Sequence, residues 1–259
     1  MSKIAAAFDH GKAFIAFITC GDPDLETTGR VVRAAVENGA DLIELGIPFS
    51  DPTAEGPVIQ EANLRALTGG VTTDLIFEFV KDLRRDVTVP MVFMTYANVV
   101  FSYGAEKFIS TCAQIGIAGL ILPDLPYEEK EEFLPLCRQY GVDLISLIAP
   151  TSENRVAMIA REAEGFIYLV SSLGVTGTRS EITTDLAPII RTIRENAKVP
   201  VAIGFGISTP EQAKRMAALS DGAIVGSAIE KILARRGREA SDEVGSYVRS
   251  MKTAMNELN

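Results

Sequence analysis

Residues 200–229 read PVAIGFGISTPEQAKRMAALSDGAIVGSAI. The stretch opens on a short apolar run, PVAIG (200–204), and turns through Gly204-Phe205-Gly206-Ile207-Ser208. A helix signature follows: Thr209 as N-cap, Pro210 at the first helical position and Gln212 three residues after the cap. A second apolar run, GAIVG (222–226), then ends on glycine before Ser227 opens another helix. Strand, turn, helix and strand in about 30 residues make a βαβ unit, whose two strands are parallel.

The same grammar recurs along the chain. Runs rich in Val, Ile, Leu and Phe stand at FIAFIT (14–19), DLIEL (41–45), PMVFMTY (90–96), AGLILP (118–123), DLISLIA (143–149) and GFIYLVS (165–171), eight in all with the two above. Helical spacing lies between them. LETTGRVVRAAVENG places Val31, Val32, Ala35 and Val36 on one stripe and stops at Gly39, as a left-handed cap requires. No composition break or low-complexity linker divides the 259 residues. The predicted fold is therefore α/β: a single (β/α)8 TIM barrel over residues 1–259, closed rather than an open doubly wound sheet. An extra helix before the first strand and a longer one over roughly 239–258 are expected to cover the barrel's ends.

Hydrophobic residues make up 47% of the chain and charged residues 23%, ample material for a large core. The net charge of −9, with Arg235-Arg236-Gly237-Arg238 as the one basic block, argues against nucleic acid and anionic membranes as partners. It does not argue against a phosphate held by backbone amides. Cys20, Cys112 and Cys137 fit no ligand spacing and read as core thiols of a cytoplasmic protein, and no signal segment or membrane span is evident.

Active groups of such barrels gather at the C-terminal ends of the strands. Glu44 stands there among Leu42, Ile43 and Leu45. Partial desolvation would raise its pKa toward the range useful for proton transfer; the alternative is a carboxylate paired with a basic neighbour. Asp51 and Glu55 follow in a loop shaped by Pro48, Pro52 and Pro57, and read either as pocket carboxylates or as solvated ones.

Three glycine-bearing turns end the last three strands: Gly174-Val175-Thr176-Gly177, Gly204-Phe205-Gly206 and Gly226-Ser227. Each alone could be a tight strand exit, but together they predict phosphate-binding loops after strands six to eight. The only histidine is His10, and no lysine falls at a predicted C-terminal strand end. A Schiff base, a Ser-His-Asp triad and a multi-histidine metal site are thereby disfavoured.

Six blocks in order resemble the tryptophan synthase α chain: IELGIPFSDPTAEGPVIQEANLRAL (43–67), TYANVVFSYG (95–104), GLILPDLPYEE (119–129), GVTGTR (174–179), GFGIS (204–208) and VGSAI (225–229). The likeness covers almost the whole chain. It implies retro-aldol cleavage of indole-3-glycerol phosphate to indole and glyceraldehyde 3-phosphate, the indole passing to a β chain in an α2β2 complex. It implies no metal and no cofactor here, pyridoxal phosphate being expected only in the β partner.

By the same resemblance Glu44 protonates the indole ring, Glu55 holds the indole N–H, and Tyr168 lies beside the reacting carbons. Thr176, Gly177, Gly206, Gly226 and Ser227 would surround the phosphate, while Phe205, Met94 and Ile121 would line the indole pocket. Tyr168 and these three apolar side chains also suit an ordinary barrel core. Pro48, Asp51, Asn98 and Pro126 resemble positions facing the β chain, and equally suit loop architecture.

The chain departs from the family at Glu55, where aspartate is usual. A displacement of about 1 Å in a catalytic group can cost on the order of 100-fold. Two other readings follow: a weakly active α chain that mainly activates its β partner, or another sugar-phosphate barrel enzyme.

Overall fold

The computed structural model describes residues 2–171 and 185–258. Its strands are β1 (Ala13–Thr19), β2 (Leu42–Gly46), β3 (Met91–Met94), β4 (Gly119–Ile121), β5 (Asp143–Ile148), β6 (Ile167–Val170), β7 (Val201–Gly204) and β8 (Gly222–Val225). They pair in chain order into a closed barrel, every pair parallel, and Ala13 of β1 meets Gly222 of β8 at the closure. Each strand falls inside its predicted run or within one residue of it.

Two-residue alternation divides the side chains between two apolar layers. Ile15 and Phe17 of β1, Val92 and Met94 of β3, and Tyr168 and Val170 of β6 belong to the interior cluster. Phe14, Ala16 and Ile18, with Ile43 and Leu45 of β2, pack outward under the helices. Both faces of each strand are covered, which is why the runs read as continuously apolar.

Around the strands lie α1 (Leu25–Glu37), α2 (Pro57–Thr68), α3 (Thr73–Leu83), α4 (Ala97–Tyr103), α5 (Ala105–Gln114), α6 (Leu134–Tyr140) and α7 (Glu153–Glu162). They are followed by α8 (Ala187–Asn196), α9 (Pro210–Leu219), α10 (Ser227–Arg236) and α11 (Ser241–Asn256). α1 begins where Asp24 accepts the Thr27 N–H at 2.7 Å. It ends as the sequence requires: Gly39 takes φ +105°, and the amides of Gly39 and Ala40 return to the carbonyls of Val36 and Ala35. α9 carries the full capping box between Thr209 and Gln212.

Of the two additional elements the first sits as expected and the second does not. Ahead of β1 there is one 3-10 turn, Ala5–Phe8, and it delivers Ile4, fully buried, into the interior layer. α11 packs along α1 and α9 and so completes the outer ring of helices instead of covering an end. Its Lys252 fixes that position, donating to the Lys12 carbonyl and to Asp41 at 2.7 Å each. No described helix is long and apolar enough to cross a membrane.

Candidate active site

β2 carries Glu44 inward, in register with Phe17 on β1 and Val92 on β3. The residue is fully buried, and neither carboxylate oxygen has a hydrogen-bond partner. Among the described residues no basic group pairs with it. Burial first, and the charge of Glu55 second, push the Glu44 carboxyl up to about 8.

The loop after β2 folds back so that Glu55, 5% exposed, lines the same cavity as Glu44. Gly56 precedes α2 and Pro57 takes its first position, so the loop's end is set by the helix start. Two further bonds shape it: the Ala54 N–H donates to the Tyr96 hydroxyl at 2.9 Å, and Gln60 donates to the Glu55 carbonyl at 2.7 Å. The Tyr96 hydroxyl in turn donates to Glu55 Oε2 at 2.6 Å. Burial raises Glu55 to about 7, against the lowering effect of the Tyr96 bond, with Asp124 adding to the rise. Burial and Glu55 both keep the Tyr96 phenol protonated, hence a donor.

Tyr168 projects from β6 into the cavity wall, where burial and then the charge of Glu44 hold its phenol protonated. Its ring lies over Gly204, where a Cβ would come within 2.5 Å of the ring; only glycine leaves that space. Phe205 meets Tyr168 edge-on, with centroids 6.0 Å apart. Phe205 itself is at φ +74°, the single non-glycine residue with positive φ among the described residues, and Gly206 follows at +78°. Ser171 holds that turn by donating its hydroxyl to the Phe205 carbonyl at 2.8 Å. A bulky side chain in the left-handed region is costly and persists where surrounding structure enforces it.

Gly206, Gly226 and Ser227 line the same cavity, and Ser227 opens the ten-residue α10. The first amides of a helix lack intrahelical acceptors and its dipole favours negative charge, so this end suits an anion. The pocket encloses about 430 Å³, part of it open to solvent, with Phe17, Ile59, Met94, Ile207 and Ile224 as its apolar wall.

The structure therefore brings Glu44, Glu55, Tyr168, Met94, Phe205, Gly206, Gly226 and Ser227 to one cavity. Thr176 and Gly177 lie outside the described residues. Ile121 does not reach the cavity wall: at the end of the three-residue β4 it is fully covered in the interior layer. Asp51, Asn98 and Pro126 are exposed, whereas Pro48, directly behind β2, is buried and presents no free surface. Sequence reasoning missed Tyr96 and Asp124. Tyr96 lies two residues beyond Met94 at a strand end, and that position was its available signal.

A closed (β/α)8 barrel whose cavity is lined by two carboxyls raised toward neutral pH and by the N-terminus of a helix suits acid–base chemistry on a phosphorylated substrate. Comparison with known proteins makes the class specific. The family model described as "Tryptophan synthase alpha chain" matches residues 4–258. Tryptophan synthase alpha chains of Lacticaseibacillus casei and Lactiplantibacillus plantarum are 48% and 49% identical to the chain, each over 98% of it and over 96% and 97% of their own lengths. A chain from a structure of the tryptophan synthase α2β2 complex of Pyrococcus furiosus superposes with a TM-score of 0.87 at 36% identity, covering 94% of this chain and 99% of that one.

The chain belongs to the tryptophan synthase alpha-chain family. It is a carbon–carbon lyase of tryptophan biosynthesis, whose reaction is retro-aldol cleavage of indole-3-glycerol phosphate, with indole passed to a β chain. The family's alpha chain holds no cofactor of its own; pyridoxal phosphate belongs to the β chain.

Proposed function

We propose that the cavity binds indole-3-glycerol phosphate with its ring between Glu44 and Glu55 and its phosphate at Gly206, Gly226 and Ser227, joined by Thr176 and Gly177. Glu44, neutral below about 8, donates a proton to indole C3. The ring becomes a C3-protonated iminium cation, an internal electron sink that replaces an external one. Glu55, ionised above about 7, accepts the indole N–H and offsets the developing positive charge. The Glu44 carboxylate then takes the proton of the glycerol hydroxyl beside the scissile bond. That carbon becomes the aldehyde, and the electrons of the broken bond restore the indole ring. Phe205, Met94 and Tyr168 pack the ring and keep water out.

The observation that carries this reading is Glu44: fully buried, with both oxygens unpartnered among the described residues, beside a second carboxyl. Incubating Glu44→Gln with indole-3-glycerol phosphate tests it. The variant should bind substrate and release no indole, and near-native release would contradict the assignment.

The partner is a β chain in an α2β2 assembly, with exposed Asp51, Asn98 and Pro126 in the contact. Mass measurement of the mixed chains checks the stoichiometry. Three buried free cysteines suit a reducing cytoplasm.

A further inference from the structure

A second group of buried carboxyls lies behind the anion end of the cavity, and the reaction above does not use it. Glu230 stands on the first turn of α10, three residues past Ser227, and is fully buried. Its Oε1 accepts the N–H of Thr19, the last residue of β1, at 2.7 Å. Its Oε2 meets no donor. Asp22, 1% exposed in the turn after β1, lies next to it; both Asp22 oxygens accept from the Arg65 guanidinium, at 2.8 and 2.7 Å. Arg65 belongs to α2, the helix that follows the Glu55 loop.

Two carboxylates cannot both stay charged in so dry a space when a single guanidinium engages one of them. Asp22 is the one paired with Arg65. Burial and the charge of Asp22 push Glu230 up to about 8, which favours the acid form, able to donate toward Asp22. A chain of bonds joins the two helices through the turn after β1: Thr19 donates to Glu230, the Asp22 N–H donates to the Thr19 carbonyl at 3.4 Å, and Asp22 accepts from Arg65.

We propose that Glu230 is a positioning residue: it ties α10, whose N-terminus faces the anion, to α2, so that phosphate binding and the placement of Glu55 depend on each other. The proposal rests on the reading that α10 holds the substrate phosphate. Glu230 touches no substrate. It acts through the two helices it joins.

The test measures glycerol 3-phosphate affinity together with kcat and KM for indole-3-glycerol phosphate in the full chain. In Glu230→Gln the amide still accepts from Thr19 and donates to Asp22, so affinity and kcat should stay within about twofold of the parent. In Glu230→Leu, shown by circular dichroism to be folded, probe affinity should fall about tenfold and kcat should fall with it. A folded Glu230→Leu with parental affinity and kcat overturns the proposal. Failure of the parent chain to bind glycerol 3-phosphate overturns the phosphate reading itself, and this proposal with it.

Should Glu230→Leu not fold, pH decides between parent and Glu230→Gln. The groups facing Glu230 are Cys20 and Asp22 in the turn after β1, and Arg65 on α2, itself influenced by Glu61. Burial and Glu230 keep Cys20 a thiol. Between pH 7 and 9.5 the parent should lose about tenfold more probe affinity than Glu230→Gln, because ionised Glu230 repels Asp22 and breaks the tie. Glu44 titrates in both proteins and cancels. Parallel curves overturn the proposal.

Discussion

Two carboxylates stand three residues apart, Asp41 just ahead of β2 and Glu44 in its middle, and they live in different chemical worlds. Asp41, immediately before the strand, accepts the Phe14 N–H and the Lys252 ammonium on one oxygen, at 2.7 Å each. Glu44, midway along β2, has no partner on either oxygen among the described residues and is driven up to about 8. The same stretch thus spends one acid on holding the barrel shut and leaves the other unsatisfied. The difference marks which face of a barrel is built for stability and which for chemistry.

Exchanging the charge of each acid sharpens that contrast. Glu44→Gln should lower indole release by about 10²–10⁴-fold in a steady-state assay. It should also stabilise the fold. The folded carboxyl lies above its unfolded value of 4.5, so the favourable contribution of the acid is complete below that value and is lost as pH rises through about 8. Melts of parent and variant should coincide near pH 4 and diverge by a few kcal/mol above pH 8. Asp41→Asn should do the reverse, costing about 1–3 kcal/mol in denaturant unfolding with kcat unchanged.

Smaller effects belong to the second acid. Glu55→Asp withdraws the carboxylate from Tyr96, around which the loop is set, and should lower turnover about tenfold. A rise in turnover would show that the longer side chain hinders catalysis, as the regulatory alternative requires. Tyr96→Phe removes a bond that favours ionised Glu55 and should move the acid limb of kcat/KM upward from about 7. The parent's profile should form a narrow bell between about 7 and about 8, bounded by ionisation of Glu55 and loss of the Glu44 proton.

Most of the frame was legible because its signals are local. Parallel strands covered on both faces leave unbroken apolar runs, Gly39 and the Thr209–Gln212 pair mark helix ends, and Glu44 is conspicuous as a charge inside such a run. What was hidden depends on distant residues. Glu230 looks like any helical glutamate until β1 and Asp22 close over it, and Tyr96 matters because a loop some forty residues earlier returns to meet it. The seat of Ile4, the path of α11 and the covering of Ile121 follow from packing that no periodicity records.

The central claim is that Glu44 carries its proton at neutral pH. Infrared difference spectra of the parent chain against Glu44→Gln, followed with pH, measure it directly. A protonated carboxyl band present at pH 7 and titrating near 8 is the predicted result. A carboxylate already ionised at pH 6 would contradict the account.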